Sequence, residues 1–359
     1  MKTPLFAQHV ALGARMAPFG AWDMPIQYSG IIEEHLHTRA SAGLFDICHM
    51  GELMVEGATA RAELDRLITC DIAALPPGRC RYGFLLNDNG GVIDDCITYC
   101  FADARFMVVV NSATAQADAH WISARLSPAT RMTDVSAQTG KLDLQGPLTR
   151  AVLQPFVPAD FATLKYFHFI ETAFNGVPVI LSRTGYTGEY GYEIYVAAEQ
   201  VAAIWECLLA DPRVKPVGLG ARDTLRLECA LPLYGHELNE ARTPVSAGLL
   251  FALRMSKAFI GKAAVERDLE FGTAEVLVGL RLSGRQTARN GQRLKFQGAD
   301  AGEVTSGSYA PSLGHAIALA YVPSACKAVG TALRIDTGRK DLEAVVCATP
   351  FYTAGTARQ

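Results

Sequence analysis

The chain has 359 residues, half of them hydrophobic and 19% charged, with a formal net charge of −3. That length exceeds one ordinary hydrophobic core, so a folded protein of two or three domains is implied, and the composition excludes a long disordered tail. Dispersed Lys and Arg give no basic field for nucleic acid, and no run reaches the roughly 20 apolar residues of a membrane span, so neither is expected as a partner.

The start, Met1-Lys-Thr-Pro-Leu-Phe, lacks the apolar stretch of a secretion signal. This predicts a cytoplasmic protein, or one of the mitochondrial matrix if a transit peptide is missing from this chain. Nine cysteines, odd in number and irregular in spacing, read as free buried thiols rather than a disulfide framework. Cys96 and Cys100 share a face of a predicted strand but stand about 13 Å apart at strand rise, too far to share a metal. Neither His35-Leu-His37 nor His236-Glu-Leu-Asn-Glu has the spacing that puts two imidazoles on one helical face. No metal site is expected.

In chain order, a helix is predicted from Ser29, which can cap it, with Glu33 and Glu34 near its positive end, Arg39 near the other and Gly43 as its stop. A strand from Gly51 and an amphipathic helix over residues 60–67 follow, closed by Pro76-Pro-Gly. Next comes Asn87-Asp-Asn-Gly-Gly-Val-Ile-Asp-Asp-Cys-Ile-Thr-Tyr99, where turn residues lead into a strand carrying two adjacent acids. Alternation puts Val92, Asp94, Cys96 and Thr98 on one face and Ile93, Asp95, Ile97 and Tyr99 on the other. Only one of the two carboxylates can serve a given pocket.

A second strand over residues 105–111 forms a hairpin with it through Ala102-Asp-Ala. A three-residue loop carries Asp95 opposite Asn111, and a two-residue loop shifts the register by one. An acid and an amide close together beside Tyr99 and Tyr82 suggest a small polar site in an apolar wall. Asn111 is explained equally well as the N-cap of the following helix. Asp95 is harder to explain structurally, because Asp is disfavoured in strands and costly to bury without a partner.

From Gln138 to Glu193 the chain is strand-rich, with a helix opening near Pro147. Gly185, Gly188 and Gly191 form a looped turn before the strand carrying Glu193 and Tyr195, and this turn lacks the spacing of a phosphate loop. A hairpin with a solvated Glu193 is the plain alternative to a site. In Gly218-Leu-Gly-Ala-Arg-Asp-Thr-Leu-Arg-Leu-Glu228, Arg222 and Arg226 lie four apart on one helical face and suit a carboxylate ligand. Salt bridges to Asp223 or Glu228 would explain them as well. Beyond about Glu275, short strands with frequent turns predict a small antiparallel barrel or jelly roll.

Phe19-Gly-Ala-Trp-Asp-Met-Pro, Phe45-Asp-Ile-Cys-His-Met, Gly90-Gly-Val-Ile-Asp-Asp, Thr184-Gly-Tyr-Thr-Gly-Glu, the Gly218 segment and Val304-Thr-Ser-Gly occur in order along the chain. As a set they resemble the aminomethyltransferases, the T proteins of the glycine cleavage system. The resemblance implies an α+β protein: a three-domain cloverleaf of two mixed α/β-sheet domains and a C-terminal antiparallel β barrel or jelly roll around a central folate channel. The implied domains are residues 1–53 with 137–235, residues 54–136 with 236–275, which carry Asp95, and residues 276–359.

The implied reaction takes the aminomethyl group on the reduced lipoyl arm of the H protein, a transient partner, and passes its one-carbon unit to tetrahydrofolate. The products are 5,10-methylenetetrahydrofolate and ammonia, and no metal takes part. The functional second Asp of the family's acidic motif falls on Asp95, as catalytic residue. Folate contacts map onto Tyr82, Ile97, Tyr99, Asn111, Tyr166, Phe167 and Tyr186, the pterin-binding acid onto Glu193, and a folate-binding arginine, placed at the glutamate tail, onto Arg222. Two relatives with the same fold are the alternatives. One is a folate-dependent demethylase of small methyl donors; the other is a non-enzymatic folate-binding iron–sulfur maintenance protein, whose Lys-Gly-Cys-Tyr motif is replaced here by Lys257-Ala-Phe-Ile-Gly-Lys262. Cys48 in place of a common serine, and Leu231-Pro-Leu in place of a Gly-containing stretch, are mild departures from the transferase pattern.

Overall fold

A computed structural model of the chain describes residues 1–338 and 340–358. It divides into two compact units: Met1–Gly83 with Cys96–Arg222 and Gly355–Gln359, and Phe84–Asp95 with Asp223–Ala354.

The first unit is organised by a six-stranded sheet in the order Phe169–Phe174, Val177–Ser182, Gly191–Ala197, Thr139–Gln145, Ala42–Asp46, Val214–Pro216. All neighbours are antiparallel except the last pair. One face carries Leu142, Leu144, Tyr192 and Ile194 into a core completed by Trp205, Leu208 and Val152 from flanking helices. The other face carries Lys141, Asp143, Gln145, Glu193 and Tyr195, all buried. Strand alternation thus sorts the central strand into an apolar side and a polar side.

A five-stranded sheet runs Arg79–Leu86, Val92–Ala102, Arg105–Val110, Gly51–Gly57, Thr130–Asp134. Within the first unit its face bearing Met54, Ile97, Tyr99, Met107 and Val109 packs on Phe169, Ile180 and Tyr195 of the six-stranded sheet. The polar side of the central strand therefore faces another sheet instead of water. Here both faces of the six-stranded sheet are covered at its centre, which is why the strands Ala42–Asp46, Thr139–Gln145 and Gly191–Ala197 are buried almost throughout.

Several local expectations are corrected. The first predicted helix is Ile31–Ala40, capped by Gly30 rather than Ser29; the Glu34 carboxylate takes up the backbone N–H groups of Tyr28 and Gly30. Gly43 lies in a strand, where a Cβ would strike Thr38 and Val217, so its role is close packing and not a helix stop. The helix expected near Pro147 is the short Thr149–Leu153. The acidic hairpin turns through two residues, pairing Ala102 with Arg105, but a bulge between Cys100 and Ala102 restores the register of the longer loop, with Ile97 opposite Val109. Asn111 does not cap the next helix: Ala115–Ser123 begins after Thr114.

The second unit contains a closed six-stranded antiparallel barrel, not a jelly roll: Glu275–Leu282, His315–Pro323, Ala299–Ala310, Arg293–Phe296, Ala332–Ile335, Leu342–Cys347. Its interior is filled by Leu280, Ala318, Ala320, Val304, Ile335 and Val346 with their neighbours. Closure leaves no sheet edge open to pairing. All nine cysteines are free thiols. Among the described residues no helix is long and apolar enough to cross a membrane.

Candidate active site

Glu193 is 5% exposed and sits on the polar side of the six-stranded sheet, between Ser182 and Asp143 on the neighbouring strands. Its Oε2 accepts hydrogen bonds from the hydroxyls of Tyr195 (3.0 Å), Thr184 (3.0 Å) and Tyr99 (3.4 Å), and Lys141 Nζ lies 3.5 Å away. Burial pushes the carboxyl up, but Lys141, Arg222 and the hydroxyl donors outweigh it and hold Glu193 below the usual carboxylate range. The solvated hairpin glutamate is thereby excluded.

Asp143, fully buried, binds Arg222 Nη1 at 2.7 Å and Gln145 Nε2 at 2.6 Å. Burial raises it to about 6, Arg222 opposing and Glu193 adding to the rise. Gln145 also reaches the Thr184 carbonyl and the Thr187 hydroxyl. Side chains at Gly185 or Gly191 would collide with the Gln145 amide, which is what the glycines of this turn permit.

Of the residues expected from sequence, Tyr99 joins Glu193 directly, and Ile97 and Phe167 line the same intersheet cluster. Tyr166 packs edge-on to Phe167, at 4.8 Å between ring centroids. Phe167 has φ 60°, a left-handed conformation that a bulky residue rarely adopts and that the surrounding structure must hold. Tyr186 faces the Arg222 guanidinium at 5.1 Å. Tyr82 and Asn111 are half-buried.

Arg222 and Arg226 do not converge. Arg222 ends the first unit on Asp143, whereas Arg226, in the second, is held by Asp223 (2.8 Å), Glu237 (3.0 Å) and Ser306 (2.7 Å). The plain salt-bridge explanation thus holds for Arg226. Asp95 belongs to the second unit and is half-buried, while Asp94 is fully buried with Val92, Cys96 and Thr98. The face of the acidic strand with access is therefore the one bearing Ile93, Asp95 and Ile97.

Residues 5–257 match the model of the GCVT N-terminal domain, and residues 276–353 that of the glycine cleavage T-protein C-terminal barrel domain. The chain belongs to the glycine cleavage T-protein family, the aminomethyltransferases. An aminomethyltransferase of Symbiobacterium thermophilum is 45% identical over 363 residues, covering 98% of this chain and 97% of that protein. One of Desulforamulus reducens is 41% identical over 355 residues, 98% of each. The crystal structure of glycine cleavage system aminomethyltransferase T from Bartonella henselae matches with a TM-score of 0.94 at 37% identity, over 99% of both chains.

In this T-protein-family chain four members of the polar layer escaped the sequence reasoning: Lys141, Asp143, Glu52 and His49. The first two had a signal, since Lys141-Leu-Asp-Leu-Gln145 alternates polar with apolar residues inside a strand covered on both faces. Glu52 and His49 had none beyond their place in the Phe45-Asp-Ile-Cys-His-Met-Gly-Glu stretch. Both are buried, and Glu52 Oε1 and His49 Nδ1 have no hydrogen-bond partner. Burial raises Glu52 to about 8 and lowers His49 to about 4, so both are neutral near pH 7.

Proposed function

We propose that this aminomethyltransferase takes the one-carbon unit from the S-aminomethyl-dihydrolipoyl arm of the H protein and delivers it to tetrahydrofolate, giving 5,10-methylenetetrahydrofolate and ammonia. The observation that carries the reading is the buried, ionised Glu193 set among Tyr99, Tyr195 and Phe167. A pterin presents a 2-amino group beside a ring N–H, two parallel donors suited to one carboxylate. Aromatic and aliphatic walls suit the ring faces. Tyr82, Ile97, Tyr99, Asn111, Tyr166, Phe167 and Tyr186 are assigned to those walls. Arg222 is assigned to the ring end rather than the glutamate tail, because it sits on Asp143, the cross-strand neighbour of Glu193.

Asp95 is assigned the catalytic role. A fixed carboxylate stabilises positive charge that develops on the one-carbon unit as ammonia leaves, more in the transition state than in the ground state. Water-poor surroundings keep that unit from escaping as formaldehyde. The same proposal takes residues 1–53 with 137–235, 54–136 with 236–275, and 276–359 as three domains, and the cytoplasm as the site of action.

The test is to mix the chain with aminomethylated H protein and tetrahydrofolate and to follow both products. Ammonia and methylenetetrahydrofolate should appear in equal amounts. Asp95→Asn should lower kcat about 10²–10³-fold with folate affinity kept. No product from a protein that still binds folate tightly would favour the demethylase or the binding protein instead.

A further inference from the structure

The polar layer contains one carboxyl more than its cations can neutralise. Glu52, Asp143 and Glu193 face Lys141 and Arg222, all buried or nearly so. Glu52 stands opposite Val109, which pairs with Ile97, and two residues on, Met54 stands opposite Met107, which pairs with Tyr99. Glu52 therefore shares the face that Ile97 and Tyr99 present to the six-stranded sheet. Its backbone is fixed from the other side, the N–H donating to Ser136 and the carbonyl accepting from Val135.

Lys141 is 1% exposed, 3.5 Å from both Glu193 Oε2 and Met50 Sδ, with its ammonium 4.7 Å from the Tyr195 ring centroid. Among the described residues, Glu193 is the one carboxylate within ion-pair distance of it. The groups acting on Glu52 are Lys141 and Glu193 from the facing sheet and Asp134 from the neighbouring strand; Glu52 in turn acts on Tyr195 and Cys48. One unpartnered buried oxygen in an acid-rich layer is tolerable only while that acid stays protonated, since a buried unpaired charge costs far more than an unpaired neutral group.

We infer that Lys141 and Glu52 are positioning residues of the folate site: Lys141 fixes Glu193 as the carboxylate that receives the pterin donors, and neutral Glu52 leaves Lys141 to Glu193 alone. When Glu52 ionises, two carboxylates compete for one ammonium, and Glu193 loses its fixed place and its charge balance. Folate affinity then falls as the solution is made alkaline. This inference rests on the folate reading of Glu193 and adds two residues that the resemblance does not assign.

The probe is 5-methyltetrahydrofolate, a reduced folate with N5 blocked, titrated calorimetrically into the full chain from about pH 7 to about pH 9.5. The wild type should lose about tenfold or more in affinity over that range, while Glu52→Gln and the similarly sized Glu52→Met keep a ratio near one. Lys141→Met should weaken binding about tenfold or more at neutral pH, and Lys141→Arg should recover most of it. A flat wild-type profile, a Glu52→Gln profile that still falls, or full affinity in Lys141→Met would overturn the inference.

Infrared difference spectra of the ligand-free chain between about pH 7 and 9 separate this outcome from failure of the folate reading. A protonated-carboxyl band should vanish with rising pH in the wild type and be missing from Glu52→Gln; its persistence in the variant would overturn the neutral Glu52. If that band behaves as expected but the wild type binds no folate at any pH, the folate reading fails and the positioning role falls with it.

Discussion

Two buried charge clusters in this molecule use similar side chains to opposite ends. In the second unit, Arg226 is a single guanidinium whose Nε, Nη1 and Nη2 go to Asp223, to Glu237 and the Leu231 carbonyl, and to Ser306; Glu237 Oε2 also takes the Leu233 N–H. The guanidinium is fully held within a loop-and-barrel framework, with Glu237 Oε1 the one oxygen of that carboxylate left without a partner, and its work is structural. In the first unit, three carboxyls share two cations, hydroxyls converge on Glu193 without neutralising it, and Glu52 Oε1 and His49 Nδ1 are left without partners. All three nitrogens of Arg226 have partners, so that cluster, despite an unpartnered Glu237 Oε1, fixes a fold. One with more carboxyls than cations is arranged for something it binds.

Removing the cation from the Arg226 cluster should give the largest stability effect. Arg226→Met leaves Glu237 buried and uncompensated, and unfolding in denaturant should show a loss of about 3–5 kcal/mol. Folate affinity of the protein that remains folded should be unchanged; a selective loss of affinity would erase the contrast.

The Glu193 cluster should respond in the reverse sense. The folded-state pKa of Glu52, about 8, is raised above its ordinary value of 4.5, so the stability it contributes is present below about pH 4.5 and lost as pH rises through about 8. Glu52→Gln should therefore exceed the wild type by roughly 2–4 kcal/mol at pH 9, and the two should converge toward pH 5. Melting curves across that range check it, and parallel curves would show that Glu52 ionises freely.

A smaller effect sharpens the picture. Tyr195→Phe removes one hydroxyl from Glu193 Oε2 and a bond to the Tyr99 hydroxyl, at a cost of about 1 kcal/mol in stability. Folate affinity should fall severalfold, because the carboxylate loses one of its orienting donors. Isothermal titration and denaturant unfolding on the same preparation separate the two.

Much of this was legible in the sequence because strands declare their faces. Alternation along Val92–Ala102 separated Asp94 from Asp95, and burial follows that division. The amphipathic helix Ala60–Leu67 and the antiparallel strands beyond Glu275 follow from local pattern too. What sequence left hidden depends on distant partners. Glu34 caps a helix start because the backbone of Tyr28 and Gly30 turns back toward it, so Ser29 is not needed. The bulge at Phe101 restores a register that loop length alone would have shifted. The alternation of Lys141-Leu-Asp-Leu-Gln145 marks a polar strand face, but nothing in a linear chain says that a second sheet, carrying Glu52, closes over it.

The proposed folate site depends most on Glu193 as the acceptor of the pterin donors. Equilibrium titration of tetrahydrofolate into the wild type and Glu193→Gln at neutral pH tests it most directly, with circular dichroism and melting curves establishing that both are folded. Glu193→Gln should lose about a hundredfold in affinity, since an amide offers one acceptor and a clashing donor where the carboxylate offers two acceptors. Equal affinity in the two folded proteins would contradict it.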